Sequence, residues 1–272
     1  MDYVYTYSEL ENDINLFKKE FHSVPVFSIG RSIQGRRLYA LRLGKGGGKR
    51  VFFNGAHHGM EWLTSKLLMD FAFDLERQMY ETAEIMKNCT LYIVPMVNPD
   101  GVEIASSGRR WQANARGVDL NHNYDALWHR YKEMEEDIGI KGPGPTRFSG
   151  AYPESEPESR AIADFTRQND FDVVMAFHSQ GQVIYYDFCG YVPPLTLDYV
   201  NRFERVSPYK AENPDKAASY GGYKDWFIKT YKRPGFTIET GKGENPLPVD
   251  DLPEIYEKTL PLMIEALRIN CP

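Results

Sequence analysis

A chain of 272 residues that is 42% hydrophobic carries enough apolar side chain for one large core, and its formal charge of -6, without a basic stripe, argues against a nucleic-acid partner. No apolar run is long enough to span a bilayer, so no membrane partner is expected. Three cysteines, Cys89, Cys189 and Cys271, are odd in number and scattered, which points to free thiols in a reducing compartment; Cys189 is expected to act as a small buried hydrophobe.

Taken along the chain, apolar spacing predicts a helix over residues 7–20, strands over 24–29, 38–43 and 51–54, and a helix over 64–78. A strand follows over 91–97. The acidic run Glu133-Met134-Glu135-Glu136-Asp137 reads as a solvated face, and the Gly- and Pro-rich stretch 139–158 as a surface loop of the kind that borders a groove. Beyond it come a helix over 158–168, strands over 173–177, 183–187 and 236–239, and a closing helix over 252–270. Strands alternate with helices, and neither a repeat nor a Ser- or Pro-rich linker divides the chain. A single α/β/α domain over residues 1–272 is expected.

The run Asn54-Gly55-Ala56-His57-His58-Gly59-Met60-Glu61-Trp62 places an imidazole and a carboxylate three positions apart where a strand gives way to a helix, which is where open α/β sheets bind ligands. His58 and Glu61 can grip one metal ion. Catalytic zinc takes three protein donors and keeps a fourth position for water, so a third ligand is required. His178 is the natural candidate, because Asp172-Val173-Val174-Met175-Ala176-Phe177 reads as a buried parallel strand that delivers His178-Ser179 at its end. Glu239 ends the short strand Gly235-Phe236-Thr237-Ile238 and precedes the turn Thr240-Gly241-Lys242-Gly243, so it should face the cleft, where a carboxylate could take a proton from water and pass it to a leaving amine.

The order of His58-x-x-Glu61, Asn98-Pro99-Asp100-Gly101, Gly117-Val118-Asp119-Leu120-Asn121, His178-Ser179 and Phe236-Thr237-Ile238-Glu239 resembles the zinc carboxypeptidases of the carboxypeptidase A superfamily. The segment Ser155-Glu156-Pro157-Glu158-Ser159-Arg160-Ala161 agrees, and the resemblance runs from about residue 7 to 267. It implies a three-layer α/β/α fold with a mixed, mostly parallel central sheet. It also implies one Zn2+ held by His58, Glu61 and His178, with Glu239 as general base. The family further uses an arginine to stabilise the oxyanion, and Arg109, Arg110 and Arg116 all lie in the matching segment. Arg116 is favoured, because it adjoins the well-matched Gly117-Val118-Asp119-Leu120-Asn121 run.

The substrate-binding positions depart from the conventional carboxypeptidases. Their Asn-Arg pair, which holds a free C-terminal carboxylate, reads Asn121-His122 here, and a histidine lacks the planar, permanently charged fork of arginine. In Ala217-Ala218-Ser219-Tyr220-Gly221-Gly222-Tyr223-Lys224-Asp225-Trp226 the usual mobile tyrosine is replaced by Ala217, leaving Tyr220 or Tyr223 to supply a phenol. The position that sets side-chain preference falls at Lys224, which suits an anionic group on the substrate. These segments resemble a narrower branch, the bacterial γ-D-glutamyl-L-diamino acid endopeptidases, which cut murein stem peptides before meso-diaminopimelate or lysine. That resemblance implies a murein peptide substrate, with a charge-assisted bond between Lys224 and the second carboxylate of diaminopimelate.

Competing readings are a conventional metallocarboxypeptidase, an N-acyl amino acid deacylase of the same zinc fold, and a non-catalytic peptide-binding module. The first is disfavoured by His122. Keeping both the metal set and Glu239 disfavours the last. The start Met1-Asp2-Tyr3-Val4-Tyr5-Thr6-Tyr7 has no basic stretch followed by an apolar core, and no inhibitory pro-segment or wall-binding module is readable, which suits a bacterial cytoplasmic enzyme acting on soluble wall fragments.

Overall fold

The computed structural model describes residues 3–44, 46–78, 82–214 and 216–268. In chain order the elements are α1 (Tyr7–Glu20), β1 (Val26–Arg31), β2 (Arg37–Leu43), β3 (Lys49–Gly55), α2 (Leu63–Glu76), β4 (Cys89–Val94), α3 (Pro99–Ser106), α4 (Trp128–Asp137), α5 (Pro157–Asn169), β5 (Val173–Ser179), β6 (Val183–Tyr185), α6 (Thr196–Val206), β7 (Lys210–Glu212), α7 (Lys216–Ser219), α8 (Tyr223–Tyr231), β8 (Gly235–Thr240) and α9 (Leu252–Arg268). The strands form one eight-stranded sheet in the order β1-β2-β4-β3-β5-β8-β6-β7. Its centre, β4-β3-β5-β8, is parallel throughout, and antiparallel pairing enters through β1, β2 and β6.

Side chains that alternate along a strand point to opposite faces, and here both faces are covered. Val51, Phe53, Val173, Met175, Phe177, Phe236 and Ile238 join α1, α2, α6 and α9 in one core. Phe52, Val174 and Ala176 turn the other way and pack with Ile162 and Phe165 of α5 and with Tyr223, Trp226 and Phe227 of α8. The same alternation positions the chemistry. His178 follows Val174 and Ala176 in phase, Glu239 follows Thr237, and the register sets His178 directly beside Glu239 at the ends of adjacent parallel strands.

The expected fold class is found, and α1 has the predicted bounds. Elsewhere the ends move. The strand expected over 91–97 stops at Val94, because Pro95 follows and cannot donate to the ladder. The closing helix is described to Arg268, so its expected end at Asn270, like Cys271, lies outside the described residues. Helices α3, α4, α6, α7 and α8 lie outside the helices that apolar spacing predicts. In α4 the acidic run is no simple solvated face: Glu135 is buried, pairs with Lys132 at 2.7 Å and accepts from the Ser149 backbone N–H at 2.6 Å. Cys89 is buried, whereas Cys189 is exposed, which corrects its expected burial; its position in the tight Phe188–Tyr191 turn leaves it at the surface. Among the described residues no helix is long and apolar enough to cross a membrane.

Candidate metal centre and cleft

Strand β3 ends at Gly55, and a single 3-10 turn, Gly59–Glu61, carries the chain into α2. Gly59 is required there. A Cβ at this position would lie 2.3 Å from the Gly101 carbonyl oxygen and 2.8 Å from that of Trp111, so no side chain fits between His58 and the neighbouring loop. Its N–H donates to the Gln112 carbonyl at 2.9 Å. Asn98, the N-cap of α3, spans the carbonyls of His57, Gln112 and Ala113, each at 3.0 Å, and accepts from Gly101 N–H at 2.9 Å. The Asn98-Pro99-Asp100-Gly101 motif therefore holds the loop that presents His58.

His58 Nδ1 lies 2.8 Å from Glu61 Oε1, and His178 Nδ1 lies 2.8 Å from Glu61 Oε2. The candidate donor atoms of His58, Glu61 and His178 lie within 4.8 Å of one another, the spacing that a cation with bonds of ~2.0–2.2 Å to each can bridge. Two imidazoles and one carboxylate form a donor set suited to Zn2+, and the group is nearly closed to solvent except at His58. Burial by itself would depress the His58 pKa; the carboxylates of Glu61 and Asp119 outweigh it and raise the pKa well above the ordinary value. Burial would likewise raise that of Glu61, but His58 and His178 bring it down to about 2. The field that favours positive charge between these groups is the one a divalent cation requires.

Asp119 completes the support. Its Oδ1 sits 3.1 Å from His58 Nε2 and accepts from Asn121 N–H at 3.1 Å, while Oδ2 accepts from Arg147 N–H at 3.0 Å. A carboxylate on the far nitrogen fixes the tautomer and plane of a ligating imidazole. Despite burial, the neighbouring His58 holds Asp119 well below the usual carboxylate range. Within the Gly117–Asn121 motif, the place of Asp119 two residues before Asn121 is the only sign of this task that the sequence carries. Arg147 belongs to the Gly- and Pro-rich loop, which thus does border the site.

Glu239 and Asn121 line one small cleft with Tyr185, Pro214, Ala218, Ser219, Lys224, Asp225 and Thr237. Burial pushes the Glu239 carboxyl up to about 7; Glu61 adds to the rise, and His178 and His58 oppose it. Lys224 and Asp225 are both buried, with Lys224 Nζ donating to Asp225 Oδ1 at 2.5 Å and to the Asp187 carbonyl at 2.7 Å. Ser219 Oγ also donates to Asp225, at 2.7 Å. Lys224, expected to favour an anionic group on the substrate, is ion-paired with Asp225.

His122 is buried, its Nδ1 is 2.8 Å from the Tyr220 carbonyl, and its ring stacks on Tyr131 with centroids 4.0 Å apart. A carbonyl can only accept, so Nδ1 carries a proton in this bond. Burial lowers the His122 pKa, which leaves the ring neutral. Tyr220 is itself buried and contributes its carbonyl here. Two of the arginines are exposed: Arg116, 57% exposed, is 3.6 Å from Glu156, and Arg110, 70% exposed, is 3.6 Å from Glu244. Neither contacts the three metal-ligand candidates. The Ala217 side chain lies outside the described residues.

The zinc carboxypeptidase model of the Peptidase_M14 family matches residues 10–262. The chain is 35% identical to γ-D-glutamyl-L-diamino acid endopeptidase 1 of Lysinibacillus sphaericus over 97% of its own length and 72% of that protein. Among solved structures it is similar to bovine thrombin-activatable fibrinolysis inhibitor bound to tick carboxypeptidase inhibitor, with a TM-score of 0.80 at 22% identity over 98% of this chain and 97% of that one. Carboxypeptidase A from Helicoverpa armigera superimposes with a TM-score of 0.79 at 22% identity, over 99% and 75%. With the metal-binding group assembled and the family model spanning nearly its whole length, this chain belongs to the zinc carboxypeptidase family and is a zinc-dependent peptidase.

Proposed function

We propose that the enzyme hydrolyses the γ-D-glutamyl bond to a diamino acid, meso-diaminopimelate or lysine, in murein stem peptides. The observation that carries this reading is an intact hydrolytic group in a chain whose carboxylate-binding arginine is replaced by a neutral histidine, His122, buried and turned onto the Tyr220 carbonyl. A peptidase without that clamp has no group at this position to select a free C-terminus. The 35% identity to a γ-D-glutamyl-L-diamino acid endopeptidase supplies the bond type.

His58, Glu61 and His178 would hold the zinc, with His58 oriented by Asp119. When bound, zinc supplies a Lewis acid and brings the pKa of coordinated water to about 7. Glu239 takes the proton from the attacking water and returns it to the leaving amine. A carboxyl raised toward neutrality suits both tasks. Asn121, whose Oδ1 accepts from Tyr223 N–H at 3.1 Å, keeps its amide donors for the substrate. Arg116, which adjoins the Gly117–Asn121 motif and lies 3.6 Å from Glu156, is assigned to the oxyanion on its place in that motif.

The test is to incubate zinc-loaded protein with L-Ala-γ-D-Glu-meso-diaminopimelate and with hippuryl-Phe and to identify the products. Release of diaminopimelate from the first is expected; turnover of the second alone would assign a conventional carboxypeptidase. Glu239→Gln should keep its zinc and lose about 10²- to 10⁴-fold in kcat. Wild-type turnover by that variant would remove Glu239 from the base role.

A further inference from the structure

The two imidazoles of the metal-binding group are supported in different ways. The far nitrogen of His58 meets Asp119, as that of a ligating histidine ordinarily meets a carboxylate or a carbonyl. The far nitrogen of His178, Nε2, is buried and has no hydrogen-bond partner among the described residues. What lies against the His178 ring is His57. The two rings are nearly parallel, 22° apart with centroids at 5.6 Å, and His57 is nearly parallel to Tyr223 as well, at 28° and 5.8 Å. A hydroxyl group holds each of the two rear rings in its plane. His57 Nε2 is 3.0 Å from the Tyr124 hydroxyl. The Tyr223 hydroxyl is 2.9 Å from Thr166 Oγ1, which itself donates to the Ile162 carbonyl of α5, so Tyr223 is the donor in their bond. Tyr223 is fully buried, and its phenol serves this chain of rings rather than a substrate.

Packing alone does not call for a histidine at position 57. The residue is fully buried and its Nδ1 has no hydrogen-bond partner among the described residues, a state that disfavours folding relative to an apolar ring. Phenylalanine would fill the space without that cost, but it would offer Tyr124 nothing to hold. We propose that His57, pinned by Tyr124, is a positioning residue for the metal centre, the plate that fixes the plane of the His178 ring. An imidazole gives a cation a lone pair that lies in its ring plane, so a ring free to tilt is a weaker donor, and such a site needs its donors held to within roughly 10–20°. Rings at these separations attract one another beyond the area they bury. The plate is fixed from behind too, since the His57 carbonyl accepts from Asn98 Nδ2 at 3.0 Å. Tyr124 follows closely on Asp119 in the chain. One segment thereby steadies both imidazoles, His58 directly through Asp119 and His178 through His57. The proposal concerns the metal-binding group and stands apart from the bond assignment above.

The experiment measures the zinc Kd by competition with a chromophoric chelator and records the visible absorption spectrum of the Co2+-substituted protein. The metal-free melting temperature of each variant reports folding. His57→Leu removes both the ring and its pin, and it should weaken zinc binding by about tenfold or more and shift the Co2+ bands. His57→Phe and Tyr124→Phe each leave a ring in place and break only the pin. Each should weaken zinc by about two- to tenfold, the worth of one hydrogen bond. The double variant should lose no more than either single one, because the pin is one interaction. A His57→Leu protein with wild-type zinc affinity and an unchanged Co2+ spectrum, whatever its melting temperature, shows a merely structural ring and overturns the proposal. Should that variant not fold, the cycle decides. Single variants with wild-type zinc affinity, or a double variant whose loss is the product of theirs, overturn it equally. No peptide substrate enters these measurements, so either outcome leaves the bond assignment untouched.

Discussion

Replacing Asp119 with asparagine isolates the contribution of the group behind a ligand. The carboxylate is 2% exposed and meets His58 Nε2 at 3.1 Å, so its charge acts on the imidazole with little solvent between them. Loss of such an outer partner typically weakens metal binding 10- to 100-fold, about 1.4–2.7 kcal/mol. Asparagine keeps one acceptor oxygen but presents an NH2 either to His58 or to the Arg147 N–H that Asp119 now accepts. A modest loss of fold stability is expected alongside, because a buried donor would face a donor. Zinc affinity should be measured by competition with a chromophoric chelator, and the metal-free melting temperature of both proteins compared. A zinc Kd within twofold of wild type, in a variant that melts normally, would refute the claim that Asp119 tunes His58.

Removing the metal should abolish hydrolysis, and Zn2+ added back should restore it. At zinc a hundredfold above its Kd, binding should add about 2.7 kcal/mol of stability, seen as a rise in Tm over the chelated protein. Phe52 packs against Phe165, Phe171 and Tyr223 at centroid distances of 5.5, 4.8 and 6.1 Å, so Phe52→Ala should cost about 3–5 kcal/mol in denaturant unfolding; a cost below 1 kcal/mol would mean that this face of the sheet repacks. Burial pushes the Glu158 carboxyl from 4.5 up to about 7. Between these values the folded protein keeps a proton that the unfolded chain releases, so stability falls as pH rises through the window, by about 3 kcal/mol at most from this group. Glu158→Gln should flatten that part of the profile, and an unchanged slope between pH 4.5 and 7 would exclude Glu158 as its source.

The sequence by itself determined the layers and the metal-binding group. Val51-Phe52-Phe53 and Val173 to Phe177 are apolar on both strand faces, which demands cover on both sides. His58, Glu61, His178 and Glu239 stand at the ends of such strands, where parallel topology must gather them. Local pattern could not determine what depends on contacts between distant segments. Glu135 and Cys189 exchange their expected burial because Ser149 N–H draws one inward and a tight turn leaves the other at the surface. Helix α8 begins at a glycine without a side-chain cap, and its first turn mixes Lys224 and Asp225 with Tyr223 and Trp226, so periodicity alone did not announce it. The pairing of Lys224 is not legible in sequence order, which shows neither the Asp187 carbonyl that reaches it nor its burial against Asp225. Asp119 and His122 acquired their tasks in the same way. A carboxylate becomes a histidine's anchor, and a histidine gives up its charge, only when tertiary packing removes water and fixes a partner within about 3 Å.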